Sequence, residues 1–290
     1  MLRLFLLASQ CKLLMLMAIS KRGFREKTLL AVPHKPSPLH ALYKICHRLG
    51  YTITSSVTRD ANVVIHWEDC TVRSAEPRLE ILVRNRRVIN YRCRDISKRH
   101  VAEVFADVFG YPLQVDPQEH QGLMVRKSNV NALHDGVTIR GPIAEGRREF
   151  TYQKLVNNVT EGTLQDIRVP IFGDIIPYCL IKRIPLEHRF TNKEGSATIR
   201  ELDSVLSGDE IATIKRFCRA IGLDYGELDV LRDFDDGKLY IVDVNNTPYG
   251  PLDRHIHVKW YFDRTSWDAL ERMCRAFRVA LVESDSSKTT

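Results

Sequence analysis

Apolar runs and polar breaks along the first third of the chain predict a small α/β lobe. Three short apolar runs predict strands, and two weaker runs are expected to continue the same sheet. They are residues 28–32, 51–54 and 61–67, followed by 81–83 and 87–91. Apolar positions at helical spacing fill residues 39–49, and Gly50 ends that helix. The order strand, helix, strand predicts a parallel sheet.

The pattern after residue 95 predicts a second helix, a small sheet, a strand pair and two further helices. The first helix begins near Ser97, has apolar residues at helical spacing and stops at Gly110. Ser207 and Glu210 form a capping box before a helix that ends at Gly222. The remaining predicted elements are strands 124–127, 137–139 and 150–156, a hairpin of 167–172 with 175–182, and a last helix over 267–282.

Composition adds limits to this picture. The chain has 290 residues, of which 44% are hydrophobic and 27% charged, which is typical of a globular protein with a buried core. Its length suits two or three lobes around a shared cleft. The formal net charge of +7 is spread along the chain, without a basic tail or a nucleic-acid motif. This distribution fits phosphate-bearing ligands and argues against a nucleic-acid partner.

The N-terminal segment and the cysteines bear on location. Residues 2–19 are largely apolar but include Arg3, Gln10 and Lys12, so they predict no stable membrane insertion and only weakly resemble a signal peptide. An internal methionine start is a third interpretation, and we leave residues 1–22 out of the fold. The seven cysteines form no CxxC pair, which argues against a disulfide framework or zinc site and predicts a cytoplasmic protein.

Residues 226–248 carry the most informative chemistry. Two apolar runs flank an Asp-Asp-Gly turn and predict a β-hairpin. A three-residue turn with Gly237 in the left-handed region would place Asp229 opposite Asp243, whereas a two-residue turn would send the two carboxylates to opposite faces. In the first arrangement Asn245 lies on the same face, because residues two apart in a strand share a face.

Two carboxylates opposite each other repel unless a cation lies between them. Oxygen ligands in small number suit Mg²⁺, with nucleotide phosphates completing its coordination. The alternative is a surface hairpin with ordinary polar residues. The metal site is favoured because Asp243 lies within an apolar run that should be buried, and a buried carboxylate needs a partner.

The same residues resemble the metal-binding hairpin of ATP-grasp enzymes, in particular carboxylate–amine ligases such as D-alanine–D-alanine ligase and the ribosomal-protein glutamate ligases. The family pattern is Gly-x-x-Asp followed by Glu/Asp-x-Asn-x-x-Pro, and the resemblance covers residues 96–251. It implies that Asp243 bridges two Mg²⁺ ions and that Asp229 and Asn245 each bind one, with Mn²⁺ as an alternative. Asp243 stands where the family more often has Glu.

Other family segments follow in the same order, and the resemblance implies roles for their residues. The counterparts are Lys98 and Lys127 for the phosphates, Gln153, Lys154, Leu155 and Val156 for adenine, Asp166 for the ribose hydroxyls, and Arg168 and Arg183 for the transferring phosphoryl group. Each charged residue taken alone is more often an ordinary surface charge. Their shared order favours the functional interpretation.

One segment departs from the family pattern. The loop after the second lysine is usually rich in glycine, but residues 128–136 contain one glycine. Two interpretations follow: the lid closes differently, or Asn129, Asn131 and His134 supply side-chain contacts in its place. The site is otherwise complete.

The resemblance implies an ATP-grasp fold of α/β (α+β) lobes. We expect an N-terminal α/β lobe at 23–95, an ATP-grasp domain at 96–283 with a lid at 122–157, and a disordered tail at 284–290. It implies an ADP-forming ligase that joins a small-molecule carboxylate to an amine through an acyl phosphate, with ATP and Mg²⁺. The alternatives are a kinase acting on a small-molecule hydroxyl and a non-catalytic ATP-binding module. The sequence leaves open whether the chain forms a homodimer.

Overall fold

The structure is a computed structural model that describes residues 27–57, 61–131, 133–191, 195–250 and 264–283. The chain divides into two compact units. The first comprises the described residues of 1–67, 76–89 and 247–290, and the second those of 68–75 and 90–246. The units interleave along the chain and so differ from the expected division after residue 95. The N-terminal extension 1–22 and the tail 284–290 lie outside the described residues.

The first unit contains a three-stranded parallel sheet, as its strand–helix–strand pattern predicts. The strands are β1 (Lys27–Pro33), β2 (Tyr51–Thr54) and β3 (Val63–Trp67), in the order β2-β1-β3. Helix α1 (Ala41–Arg48) connects β1 to β2. The centre of β1 is fully buried, because strands of a parallel sheet are covered on both faces.

The two weaker strand predictions in this unit have different outcomes. Residues 81–83 are not a strand, because helix α2 (Pro77–Leu82) includes the first two of them. The Glu76 side chain caps this helix and Pro77 supplies its first residue, a combination that favours a helix start. Ile89 does reach the sheet through a single parallel bridge to Ile65.

The last described helix, α5 (Arg264–Phe277), continues as a π-helical turn through Arg278–Glu283. It lies within the first unit, where Arg48 of α1 pairs with Glu271 at 2.5 Å. Leu270, Met273 and Phe277 are buried, as their helical spacing predicts. None of the described helices has both the length and the apolar character needed to cross a bilayer.

The second unit contains a small antiparallel sheet and a larger one. The small sheet, which we call the lid sheet, has the order β5-β4-β6. Its strands are β4 (Gly122–Ser128), β5 (Val137–Gly141) and β6 (Phe150–Lys154). The larger sheet, which we call the main sheet, has the order β10-β9-β8-β11-β12, and β7 pairs with β8. Its strands are β7 (Val159–Thr160), β8 (Thr163–Phe172), β9 (Cys179–Pro185), β10 (Ser196–Arg200), β11 (Tyr225–Arg232) and β12 (Leu239–Asn245).

Two capped helices cover one face of the main sheet. Ser97 caps α3 (Lys98–Phe109), and a full capping box at Ser207 begins α4 (Gly208–Ile221). Both helices end at a glycine in the left-handed conformation. Their apolar stripes and one face of the sheet form the core. Its members include Val101, Phe105, Ile167, Val169, Ile214, Phe217, Leu228, Val230 and Val244. The intervening sheet residues therefore point to the opposite face, where the site lies.

Candidate active site

The predicted metal residues lie on the paired strands β11 and β12. Asp229 lies directly opposite Asp243, and Glu227 lies opposite Asn245. The turn differs from the predicted three residues, because Asp233 N–H donates to Lys238 O and encloses four residues. A β-bulge restores the pairing at the site. Val230 pairs with Ile241 and Asp229 pairs with Asp243, so Val242 has no partner on β11.

Each of the two opposed carboxylates is paired with a cation from another element. The Arg168 guanidinium lies 2.5 Å from Asp229 and 3.3 Å from Glu227. The Lys98 ammonium, at the start of α3, lies 3.3 Å from Asp243. Loss of hydration and repulsion from Asp243 and Glu227 raise the pKa of Asp229 to about 7, against the attraction of Arg168.

Lys127 brings a further positive charge to this face from the lid sheet. Its ammonium donates to Val242 O at 3.3 Å. Burial and repulsion from Lys98 lower the pKa of Lys127 to about 8, against the attraction of Asp243 and Asp229. The two lysines predicted to bind phosphate therefore converge on the carboxylates of the hairpin.

The loop between β4 and β5 also reaches the hairpin. Asn131 donates to Val244 O and accepts from Lys98. Asn129 O and Oδ1 accept the N–H groups of Lys98 and Arg99 at the start of α3. Partial burial lowers the pKa of His134, and the charges acting on it include those of Asp243, Lys98 and Arg168. Asn131 thus lies at the site and His134 near it, whereas the Asn129 side chain caps α3.

The predicted adenine hinge follows β6. Gln153 is 2% exposed, and its Nε2 has no hydrogen-bond partner among the described residues. Lys154 N–H donates to Leu113 O. Val156 O accepts from the backbone of residue 158. A buried amide donor with no partner among the described residues suits recognition of a heterocycle by hydrogen bonds.

The side chain of Lys154 connects this hinge to the turn of the hairpin. Its ammonium lies 2.7 Å from Asp233 and 2.8 Å from Asp236, and it donates to the Tyr240 hydroxyl at 3.1 Å. Asn157 Nδ2 donates to Asp235 Oδ1 at 2.8 Å. This set of contacts, which we call the hinge clamp, places the Lys154 side chain in a structural ion pair.

The position predicted for the ribose, at Asp166, contains more charge than the sequence indicated. Asp166 accepts a hydrogen bond from Asn158, and burial raises its pKa against the attraction of Arg168, Lys182 and Arg189. Lys182 lies directly opposite Asp166 in the β8–β9 ladder and shares its face. Neither Lys182 nor Arg189 was among the predicted site residues.

Arg183 does not join the site. It lies opposite Gln165 in the same ladder and donates to that side chain at 3.4 Å. Because successive side chains of a strand alternate between faces, Lys182 points to the site face and Arg183 to the other. The expected contact of Arg183 with a phosphoryl group is therefore not supported by its position.

The donor set fits magnesium bound together with phosphate. Asp229, Asp243 and Asn245 supply carboxylate and amide oxygens, which are hard ligands suited to Mg²⁺. Among the described residues no group of three His, Cys, Asp or Glu side chains is placed to hold a metal ion. A cation here would therefore need oxygens from a ligand such as a nucleotide triphosphate.

Comparison with solved structures identifies this arrangement as the ATP-grasp fold. The ATP-grasp ligase PsnB, complexed with a minimal precursor, Mg and ADP, is 14% identical with a TM-score of 0.53, covering 88% of this chain and 99% of that chain. Its complex with precursor peptide PsnA2 and AMPPNP gives the same identity and coverage with a TM-score of 0.51. D-alanine–D-alanine ligase from Bacillus anthracis complexed with ATP is 12% identical, with a TM-score of 0.52 over 90% and 98% of the chains. No family model matches the sequence, and no curated protein matches it significantly.

Proposed function

We propose that this chain is an ATP- and Mg²⁺-dependent ligase that joins a carboxylate to an amine through an acyl phosphate. The observation that carries the proposal is the pairing of Asp229 with Asp243, with Asn245 on the same face. Lys98, Lys127 and Arg168 lie around these oxygens. A compact set of oxygen ligands surrounded by cations suits a metal-bound triphosphate.

The hinge supports binding of the nucleotide base. The buried Gln153 amide offers a hydrogen-bond donor, and Asp166, a partly buried carboxylate of the main sheet, would accept from the ribose hydroxyls. Asp229, Asp243 and Asn245 would hold Mg²⁺, which when bound neutralises phosphate charge. ADP with Mg in PsnB, and ATP in D-alanine–D-alanine ligase, are consistent with this assignment.

The proposed reaction has two steps. A carboxylate oxygen attacks the γ-phosphorus of ATP, the bond to the β-phosphate oxygen breaks, and ADP leaves. The amine then attacks the carbonyl carbon of the acyl phosphate, inorganic phosphate leaves, and the amine nitrogen loses a proton. Both steps pass through states in which negative charge develops on oxygen.

The residues of the chain contribute position, charge and shielding. Lys98 and Lys127 would bind the phosphates, and Arg168 would face the transferring group. The loop that contains Asn131 would cover the site and exclude water, which would otherwise hydrolyse the acyl phosphate.

The test is a screen of ADP release with ATP, Mg²⁺ and pairs of carboxylates and amines, including peptides, because PsnB was solved with a precursor peptide. Asp243→Ala is the blank. Hydroxylamine is added in a parallel set, since it traps an acyl phosphate as a hydroxamate. We expect ADP release and hydroxamate with one carboxylate class, and an amide when the amine is present.

Other outcomes point to other functions. A stable phosphate ester with no hydroxamate would identify a kinase, and nucleotide binding without turnover would identify a binding module. If no pair raises ADP release above the Asp243→Ala blank, the ligase proposal fails. Cytoplasmic location and the absence of a nucleic-acid partner stay predictions from the sequence, and the oligomeric state stays open.

A further inference from the structure

Asn131 is held by three hydrogen bonds to three separate segments of the second unit. Its backbone N–H donates to Thr71 Oγ1 at 2.9 Å, its Nδ2 donates to Val244 O at 3.3 Å, and its Oδ1 accepts from Lys98 Nζ at 3.0 Å. Both polar atoms of its amide are therefore used. A side chain fixed at both ends loses little freedom when a ligand arrives.

Lys98 is the residue that this arrangement orients. Its side chain is 7% exposed and its ammonium lies between Asn131 Oδ1 and Asp243 Oδ2. A lysine ammonium has three N–H donors, so these two contacts leave a third donor with a fixed direction. Asp243 is also a proposed metal ligand, and metal coordination would weaken its hold on Lys98. The Asn131 amide is uncharged and is not a proposed metal ligand, so it can keep its hydrogen bond from the Lys98 ammonium.

We infer that Asn131 is a positioning residue that directs the Lys98 ammonium toward the nucleotide phosphates. The inference rests on the proposed function. It gives Asn131 the role of orienting Lys98 in a loop that has a single glycine over residues 128–136. A glycine-rich loop offers backbone N–H groups to phosphate. Here the loop acts through a side chain that anchors a lysine between α3 and β12.

Asn129 provides a matched control in the same loop. Its Oδ1 accepts from Arg99 N–H at 2.8 Å and so completes the cap of α3. The Asn129 side chain does not contact the Lys98 ammonium in the described structure. Replacing it removes an asparagine of the same loop and leaves the Asn131–Lys98 hydrogen bond in place.

The test is a double-mutant cycle on ligand affinity. Wild type, Asn131→Ala, Lys98→Ala and the double variant are titrated with AMPPNP and Mg²⁺, and with adenosine, which lacks phosphate. We expect Asn131→Ala to weaken AMPPNP binding about tenfold and to change adenosine binding less than about twofold. In the Lys98→Ala background the same substitution should cost less than about twofold, because coupled residues are not additive. Asn129→Ala should lower the melting temperature and leave AMPPNP affinity within about twofold.

The remaining outcomes overturn the inference. An equal loss in both backgrounds would mean that Asn131 acts independently of Lys98, and tighter AMPPNP binding by Asn131→Ala would mean that it opposes the nucleotide. An unchanged affinity would assign it to loop structure alone. Wild-type protein that binds neither ligand would sink the proposed function together with this inference, which separates that failure from the others.

Discussion

Asp229 lies directly opposite Asp243 in the β11–β12 ladder, although the turn between their strands is one residue longer than this pairing requires. The bulge before Asp243 absorbs the extra residue. The two carboxylates therefore share a face with Asn245, and the pairing places them where a divalent cation would reduce their repulsion.

The raised pKa of Asp229 predicts a pH-dependent magnesium requirement. Burial and the neighbouring carboxylates raise its pKa to about 7, and magnesium binds the ionised form. Proton and metal therefore compete, and the half-saturating Mg²⁺ concentration should rise up to about tenfold per pH unit below 7. Mg²⁺ titrations of AMPPNP binding between about pH 5.5 and about pH 8 measure this. Asp229→Asn should bind weakly with a flat profile, and a flat wild-type profile would contradict the prediction.

The lowered pKa of Lys127 predicts a loss of nucleotide affinity in alkali. The ammonium is charged below its pKa of about 8 and loses its proton as the pH rises through that value. AMPPNP affinity should therefore fall by up to about tenfold per pH unit above 8. Lys127→Arg is the control, because a guanidinium stays charged over this range. If AMPPNP affinity falls equally with pH in wild type and Lys127→Arg, another group controls the loss of affinity above pH 8.

The opposite faces of Lys182 and Arg183 predict unequal effects of two adjacent substitutions. Lys182 lies opposite Asp166 on the site face, whereas Arg183 lies opposite Gln165. Lys182→Ala should weaken AMPPNP binding about tenfold, and Arg183→Ala should change it less than about twofold. Isothermal titration of both variants under one set of conditions decides the point. A larger effect at Arg183 would reverse the assignment of faces.

The hinge clamp predicts a stability effect. Asp233 is fully buried and lies 2.7 Å from the Lys154 ammonium. Lys154→Met would leave that carboxylate with a backbone donor from Asp235 and no cation, at a cost of about 3 kcal/mol in the free energy of unfolding. Lys238→Met is the matched control, because Lys238 is exposed above the Tyr111 ring and should contribute less than about 1 kcal/mol. Urea unfolding measures both, and equal values would show that the ion pair adds nothing.

Helices whose ends are marked by capping residues and glycines were predictable from the sequence. Ser97 and Gly110 are the caps of α3, and Ser207 and Gly222 are the caps of α4. Caps act within one turn of the helix, so the local sequence marks where each helix begins and ends. The helix at Pro77 was missed, although its proline and preceding glutamate are start signals, because its apolar residues are few.

The sequence predicts which residues of one strand share a face, because side chains two apart point the same way. It predicts less well which residues of two neighbouring strands lie opposite each other. The alternation that places Asp229 on the site face also places Glu227 there, so Glu227 could have been found. The bulge could not, since the apolar sequence before Asp243 does not mark it. The choice between Lys182 and Arg183 depends on how the connection between β8 and β9 closes, which local sequence does not determine.

The hinge clamp has a consequence for the size of ligand the site accepts. It fastens the proposed base-binding segment to Tyr240, and the proposed metal ligand Asp243 lies three residues further along the same strand. At roughly 3.3 Å per residue this interval is about 10 Å. Strand β12 therefore fixes the distance between the proposed base-binding segment and the proposed metal ligand. Inserting or deleting one residue there would turn Asp243 to the opposite face of the sheet. A change of two residues would keep Asp243 on the site face and alter the distance by about 7 Å, and with it the length of the phosphate chain that spans the gap.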